Sequence, residues 1–219
     1  MPVAPPPAVP LTDWRNRMRE YLLTAPDHRP QSWRLGGTLT SPSAAMRASL
    51  GAEPSPAAVL IPVLEREGGP AILLTQRATG LRHHAGQISF PGGRLERAET
   101  DPLAAAIRET TEEIGITARF IEPLGFLPDH LVLTGFRITP VVAYVRPGYT
   151  LKVDSAEVAA VFEVPLSFIL DPGNYQHVRR ELRGFTLDAF DLRYGDQLIW
   201  GATAGMLRTL HDTLGAMGS

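Results

Sequence analysis

The sequence predicts an α+β fold in which a mixed β-sheet is sandwiched between helices (α/β/α). Three observations predict it. Short apolar runs such as "AAVLIPVLERE" and "AILLTQR" have the length and turn-rich flanks of buried strands. A single helical pattern from Pro102 to about Ile114 interrupts the strands, and a second amphipathic one from about Trp200 to Leu214 closes the chain. Strands divided by one central helix and capped by another fit a mixed sheet covered by helices.

Taken in order, residues 1–10 ("MPVAPPPAVP") read as a flexible Pro-rich tail. Residues 11–50 form a helical extension. Its first helix spans about Leu11 to Thr24, with Thr12 or Asp13 as N-cap and Trp14, Met18, Tyr21 and Leu22 as a stripe. Residues 25–40 read as loop, and a short helix follows Ser41, where Pro42 sits at a tolerated first position. The main domain, residues 51–219, opens with two strands joined by "GGP", a hairpin signal. "GQISF" supplies another strand, ended by the turn "PGG". After the central helix, "RITPVVAYVR", "AEVAAVFEVPL", "YQHVRREL" and "FTLDAFDL" read as strands.

The bulk properties exclude several functions. A chain of 219 residues, 44% hydrophobic, can bury a real core. Its formal net charge of -2 provides no basic field for nucleic acid. No apolar run is long enough to span a bilayer, and the N-terminus lacks the basic start and apolar core of a secretory signal. The absence of cysteine excludes disulfides, thiolate catalysis and zinc–thiolate sites, which suits a cytoplasmic protein.

The central helix carries the sharpest signal. Asp101-Pro102 is an N-cap followed by proline at the first helical position, and Gly115 is a natural stop. Leu103, Ile107, Thr110 and Ile114 share one face, while Glu109, Glu112 and Glu113 project from nearly the opposite side. Like charges at such spacings repel, and no lysine follows at i+4 to pair with them. The plain alternative is a solvated acidic face. Against it stands Gly92-Gly93 just upstream, where backbone can approach closely and aim a carbonyl oxygen at an ion. Clustered hard oxygens suit Mg²⁺ or Mn²⁺.

"GGRLERAETDPLAAAIRETTEEIGI" resembles the Nudix box, the signature of the Nudix hydrolase family. Gly93, Glu99, Arg108, Glu109, Glu112, Glu113, Gly115 and Ile116 fall on its positions. Eight residues rather than seven separate Glu99 from Arg108, and Thr110 replaces an aliphatic residue. "LLTQRATGLRHHAGQISFPGG", Leu73 to Gly93, resembles the motif preceding the box in the coenzyme A pyrophosphatase branch, which also tolerates the longer loop. "LIWGATAGML" is similar to that branch's closing helix.

The resemblance implies a Nudix fold and a metal-dependent diphosphatase. Its substrate would be coenzyme A or a derivative, cut to 3′,5′-ADP and 4′-phosphopantetheine. Glu109, Glu112 and Glu113 are expected as ligands of Mg²⁺ or Mn²⁺, assisted by the carbonyl of Gly92 or Gly93, with Arg108 orienting a carboxylate. Glu157 is a candidate additional acid, or else an exposed strand-end residue. Arg77 and Arg82 are candidate phosphate contacts, and His83 and His84 either bind substrate or pack the loop. Rival expectations are hydrolysis of ADP-ribose, NADH or an oxidised nucleoside triphosphate, and a non-catalytic binding module of the same fold. The family often pairs subunits, so a homodimer is a further expectation, and the N-terminal helix could serve in it.

Overall fold

The computed structural model describes residues 13–29, 34–35, 38–39, 54–81, 84–132, 134–182 and 185–215. The expected Pro-rich tail, the helix after Ser41, Arg82 and His83 lie outside these residues.

The first helix, α1 (Trp14–Tyr21), begins at Asp13. Trp14, Met18 and Leu22 are buried as expected, but Tyr21 is 38% exposed, turned off the stripe. The segment expected as loop contains two short strands, β1 (Arg34–Leu35) and β2 (Thr38–Leu39). They pair antiparallel with each other, and β1 also joins β8 in parallel. The "GGP" hairpin joins β3 (Ser55–Leu64) to β4 (Ala71–Arg77), antiparallel at Val63 and Leu64.

Then come β5 (Ile88–Ser89) and β6 (Gly92–Arg94). The double glycine expected as a turn is thus part of a strand. β6 lies antiparallel beside β3, Gly92 has φ +153°, and a Cβ there would meet Val59 Cα at 2.6 Å. Only glycine fits so close an approach. The central helix, α2 (Pro102–Ile114), has the expected ends: the Leu103 N–H donates to the Asp101 carboxylate at 2.9 Å, and Gly115 is left-handed at φ +77°.

Beyond α2 lie β7 (Ile121–Phe126), β8 (His130–Val132), β9 (Phe136–Val145) and β10 (Val158–Pro165). The main sheet runs β10-β4-β3-β9-β8-β1-β2, with β5, β6 and β7 paired onto β4, β3 and β9. It is mixed, because β3 and β9 are parallel along their whole length. A short α3 (Leu166–Ile169) leads to a second antiparallel sheet of β11 (Tyr175–Leu182), β12 (Phe185–Tyr194) and β13 (Gln197–Ile199). The closing helix, α4, spans Gly201–Gly215.

Strand alternation divides the core into two layers. Ala58, Leu60, Leu73, Val141 and Ala143 face Ala105, Ala106 and Ile114 of α2. Ile61, Val63, Ile72, Val142 and Tyr144 face Trp14 and Met18 of α1 and Leu207 and Leu210 of α4. The sheet is therefore covered by helices on both faces.

Candidate active site

The buried face of α2 differs from the expected one. Leu103 and Ile107 are only half-buried, whereas Ala105, Ala106, Thr110, Glu113 and Ile114 are fully covered. The two alanines let the helix settle closely on the sheet, and this turns Glu109 and Glu113 inward. Glu113 is 3% exposed, and Glu109 is half-buried. Of the three glutamates only Glu112 faces solvent, with 60% of its side chain exposed.

The repulsion between them has a local counterweight. Arg108 grips Glu99 with two hydrogen bonds of 2.9 and 3.0 Å, and its third nitrogen donates to Glu109 at 2.8 Å and Glu112 at 3.2 Å. It also donates to the Arg94 carbonyl at 3.2 Å, which ties the helix to β6. The forked guanidinium suits this multiple engagement. Glu99, although eight rather than seven residues separate it from Arg108, is thus joined to it. That bond, with a backbone N–H from Glu96, holds its pKa below the ordinary range.

Glu113 has no such partner. Burial pushes its carboxyl up to about 8, against a compensating pull from Arg77 and a further push from Glu109 and Glu157. Its Oε2 is buried without a hydrogen-bond partner. Glu109 is also raised, first by burial, with Arg108 opposing and Glu112 and Glu157 adding. Gly93 stands directly against Glu109: a Cβ there would lie 2.5 Å from Glu109 Cδ.

Glu157 sits in the exposed turn just before β10. Its carbonyl accepts the Ala78 N–H at 2.8 Å, which anchors that turn to the end of β4. The turn is also pinned to α2, since Asp154 N–H donates to the Glu113 carbonyl at 2.9 Å. Arg77, at the end of β4, carries a buried Nε without a hydrogen-bond partner. His84 has φ +58° and bonds the Gln87 side chain at 2.8 Å, a local turn contact. Ser89 shares its hydroxyl with Thr75, and Phe90 is core.

Among the described residues, no three His, Cys, Asp or Glu side chains are drawn tightly enough together to enclose a metal ion. The reason is visible: Arg108 holds Glu109, and Glu112 extends into solvent. The donor set nevertheless fits a divalent ion. It consists of hard oxygens, one of them a buried Oε2 with nothing to bond, beside backbone that carries no Cβ.

A NUDIX domain model matches residues 54–192, well over half of the chain. The chain therefore belongs to the Nudix family and is a Nudix hydrolase, an enzyme that acts on pyrophosphate bonds. Over 159 residues it is 42% identical to an "Uncharacterized Nudix hydrolase NudL" of Citrobacter koseri, covering 73% of this chain and 82% of that one. The same figures hold for the protein of that name in Salmonella paratyphi B. In fold it is similar to the Nudix hydrolase RenU of M. smegmatis, with a TM-score of 0.52 and 19% identity, over 76% of this chain and 89% of that one. Nudix hydrolases use divalent metal ions and act on small nucleotide derivatives. Among the described residues no helix is long and apolar enough to cross a membrane.

Arg108 stands against carboxylates, the kind of contact expected of it: Glu112 is four residues on in the same helix, whereas Glu99 lies before the helix begins. Two features escaped the sequence reading. The Gly92 N–H that eases the Glu113 carboxyl, and the partnership of Arg77 with Glu113, depend on strand pairing and left no local signal.

Proposed function

We propose that this Nudix hydrolase cleaves the diphosphate of coenzyme A or a derivative to 3′,5′-ADP and 4′-phosphopantetheine. Glu109, Glu112, Glu113 and the Gly93 carbonyl would hold Mg²⁺ or Mn²⁺. The observation that carries the metal assignment is the buried, unpartnered Oε2 of Glu113 beside Glu109 and the double glycine. A native protein leaves such an atom unpaired at a cost of about 1–3 kcal/mol, so it calls for a partner. When bound, a divalent ion supplies charge neutralisation and a more acidic water.

The residues of the chain do the rest. Arg108 fixes the Glu109 carboxylate, and Glu99 fixes Arg108 from behind. Arg77 presents a cation to the phosphate oxygens from the end of β4, and Arg82, His83 and His84, which follow in sequence, are further candidate substrate contacts. Burial keeps proton affinity high on Glu109 and Glu113, Glu157 adds a smaller push of the same sign, and a carboxylate so tuned can take the proton of an attacking water. The substrate assignment rests on the likeness of residues 73–93 and 198–207 to the coenzyme A branch. We place the protein in the cytoplasm and leave room for a homodimer.

The test is a screen of coenzyme A, ADP-ribose, NADH and nucleoside triphosphates with Mg²⁺ or Mn²⁺, with products identified by mass spectrometry in ¹⁸O water. Preferred release of 3′,5′-ADP supports the reading. Preferred turnover of ADP-ribose or NADH replaces the substrate, and tight binding without any turnover would favour a binding module.

A further inference from the structure

The loop between β4 and β5 is held at its stem by elements of the candidate active site. Arg77, the last residue of β4, donates its N–H to the Gln87 carbonyl at 2.9 Å and accepts the Gly86 N–H at 3.1 Å. Arg77 is in register with Val158, so the two side chains share a face. Val158 packs in the α2 layer, and Arg77 therefore emerges on the side of Glu113, whose charge it offsets. The next residue, Ala78, is bonded to the Glu157 carbonyl at 2.8 Å, while beyond Gln87 the chain runs through β5 to Gly92. The loop thus stands at the rim of the carboxylate cluster.

On that loop His84 is singular in two respects. Among the described residues it alone, apart from glycines, has a positive φ, +58°. That region crowds a Cβ, whereas glycine enters it freely, so the turn by itself gives no reason for an imidazole. The ring is also clamped. Its Nδ1 lies 2.8 Å from the side-chain oxygen of Gln87, whose own N–H donates to the His84 carbonyl at 3.2 Å. An amide oxygen only accepts, so Nδ1 carries the proton of the neutral ring and Nε2 presents a lone pair. Among the described residues no hydrogen bond occupies Nε2, and His84 is exposed.

We infer that Nε2 of His84 accepts a hydrogen bond from an N–H or O–H of the substrate, and that Gln87 is the positioning residue that holds the ring in the accepting tautomer. The diphosphate itself offers only acceptor oxygens, which a lone pair repels, so the contact reads a neighbouring group. Coenzyme A has such donors on both halves: the adenine amine and ribose hydroxyl on one, the hydroxyl and amides of pantetheine on the other. The inference deepens the substrate contact proposed above. It rests on diphosphate hydrolysis, though not on coenzyme A as the diphosphate.

The test compares kcat/KM of the wild type, His84→Gly and His84→Asn on coenzyme A, ADP-ribose and NADH with Mg²⁺ or Mn²⁺. Both replacements accept a left-handed backbone, so Tm should hold. Loss of one hydrogen bond should lower kcat/KM about tenfold on the diphosphate that is turned over. If the turn were all that His84 supplied, glycine would serve as well, and full activity of both variants overturns the contact. Long-range ¹⁵N–¹H spectra of the imidazole at about pH 8 examine the tautomer without turnover. The proton should lie on Nδ1 in the wild type and shift toward Nε2 in Gln87→Leu. A wild-type ring protonated on Nε2 overturns the inference. Calorimetry with 3′,5′-ADP and 4′-phosphopantetheine then locates the donor. Weakening of one product by His84→Gly supports the contact and names its half, whereas an equal change in both overturns it. Hydrolysis of ADP-ribose or NADH with none of coenzyme A defeats the proposed substrate alone, since the kinetic and tautomer readings of His84 still stand on the diphosphate that is cleaved.

Discussion

Gly93 and Glu109 are in such close apposition that no side chain fits between them: a Cβ on residue 93 would lie 2.5 Å from Glu109 Cδ. β6 contributes bare backbone and α2 contributes a carboxylate, and the two meet because Arg108 donates both to Glu109 and to the Arg94 carbonyl. The candidate centre is therefore built on a strand and a helix rather than on a loop.

Gly93→Ala should separate activity from stability. The obstructed group is the end of a flexible side chain, so the helix and sheet stay in place while Glu109 is pushed aside. We expect kcat/KM to fall about 100-fold, the scale of a displaced catalytic group, with Tm nearly unchanged. A fully active variant would show that Glu109 need not sit against this backbone.

Glu113 makes stability depend on pH. Its carboxyl is raised from 4.5 to about 8 in the folded protein. The native state then binds the proton more tightly than the unfolded chain. Metal-free stability should therefore be fully present below about 4.5, fall as pH rises through about 8, and level off above. The slope is bounded by about 1.4 kcal/mol per unit. Chemical denaturation in chelator should show this decline in the wild type and its loss in Glu113→Gln. Added Mg²⁺ or Mn²⁺ should restore the wild type alone. Identical slopes for the two proteins would remove Glu113 as the source.

Arg108→Met takes away the clasp without touching substrate. Released from Arg108, Glu109 and Glu99 lose their fixed positions, and kcat should drop about 100-fold while KM changes little, as for an interaction that matters in the transition state. Arg108→Lys should recover only part of it, since an ammonium cannot fork. A rise confined to KM would instead place Arg108 in substrate binding.

Gly115→Ala tests the end of α2. The residue is left-handed at φ +77°, and a Cβ would meet the Lys152 backbone nitrogen at 3.0 Å. Strain and crowding together should cost about 2 kcal/mol, or roughly 4–8 °C in Tm for a chain of this size. An unchanged melting temperature would mean that the segment at Lys152 yields freely.

How far the sequence could be read depended on the range of each interaction. The ends of α2 were legible because a cap is made by neighbours: Asp101 reaches two residues ahead, and Gly115 closes the helix on itself. The acidic run was legible as a pattern, yet its orientation was not. The apolar count favoured Leu103 and Ile107 as the buried face, whereas close docking chose the alanines and drew Glu113 under cover. Likewise "SWRLGGTLT" carries a Gly-Gly hairpin signal between short runs, too brief to outweigh its loop-like surroundings, and only the sheet shows β1 seated beside β8.

The linear chain by itself determined the fold class, the limits of the central helix and the presence of clustered carboxylates behind a double glycine, all of which follow from local propensity, capping and spacing. Tertiary structure alone decided which glutamate oxygen is buried without a partner, which glutamate is tied to arginine, and which histidine stands beside Arg34. Those outcomes depend on strands brought together from distant parts of the chain. Protonation and partnership follow from burial and proximity, and neither exists until the sheet has formed.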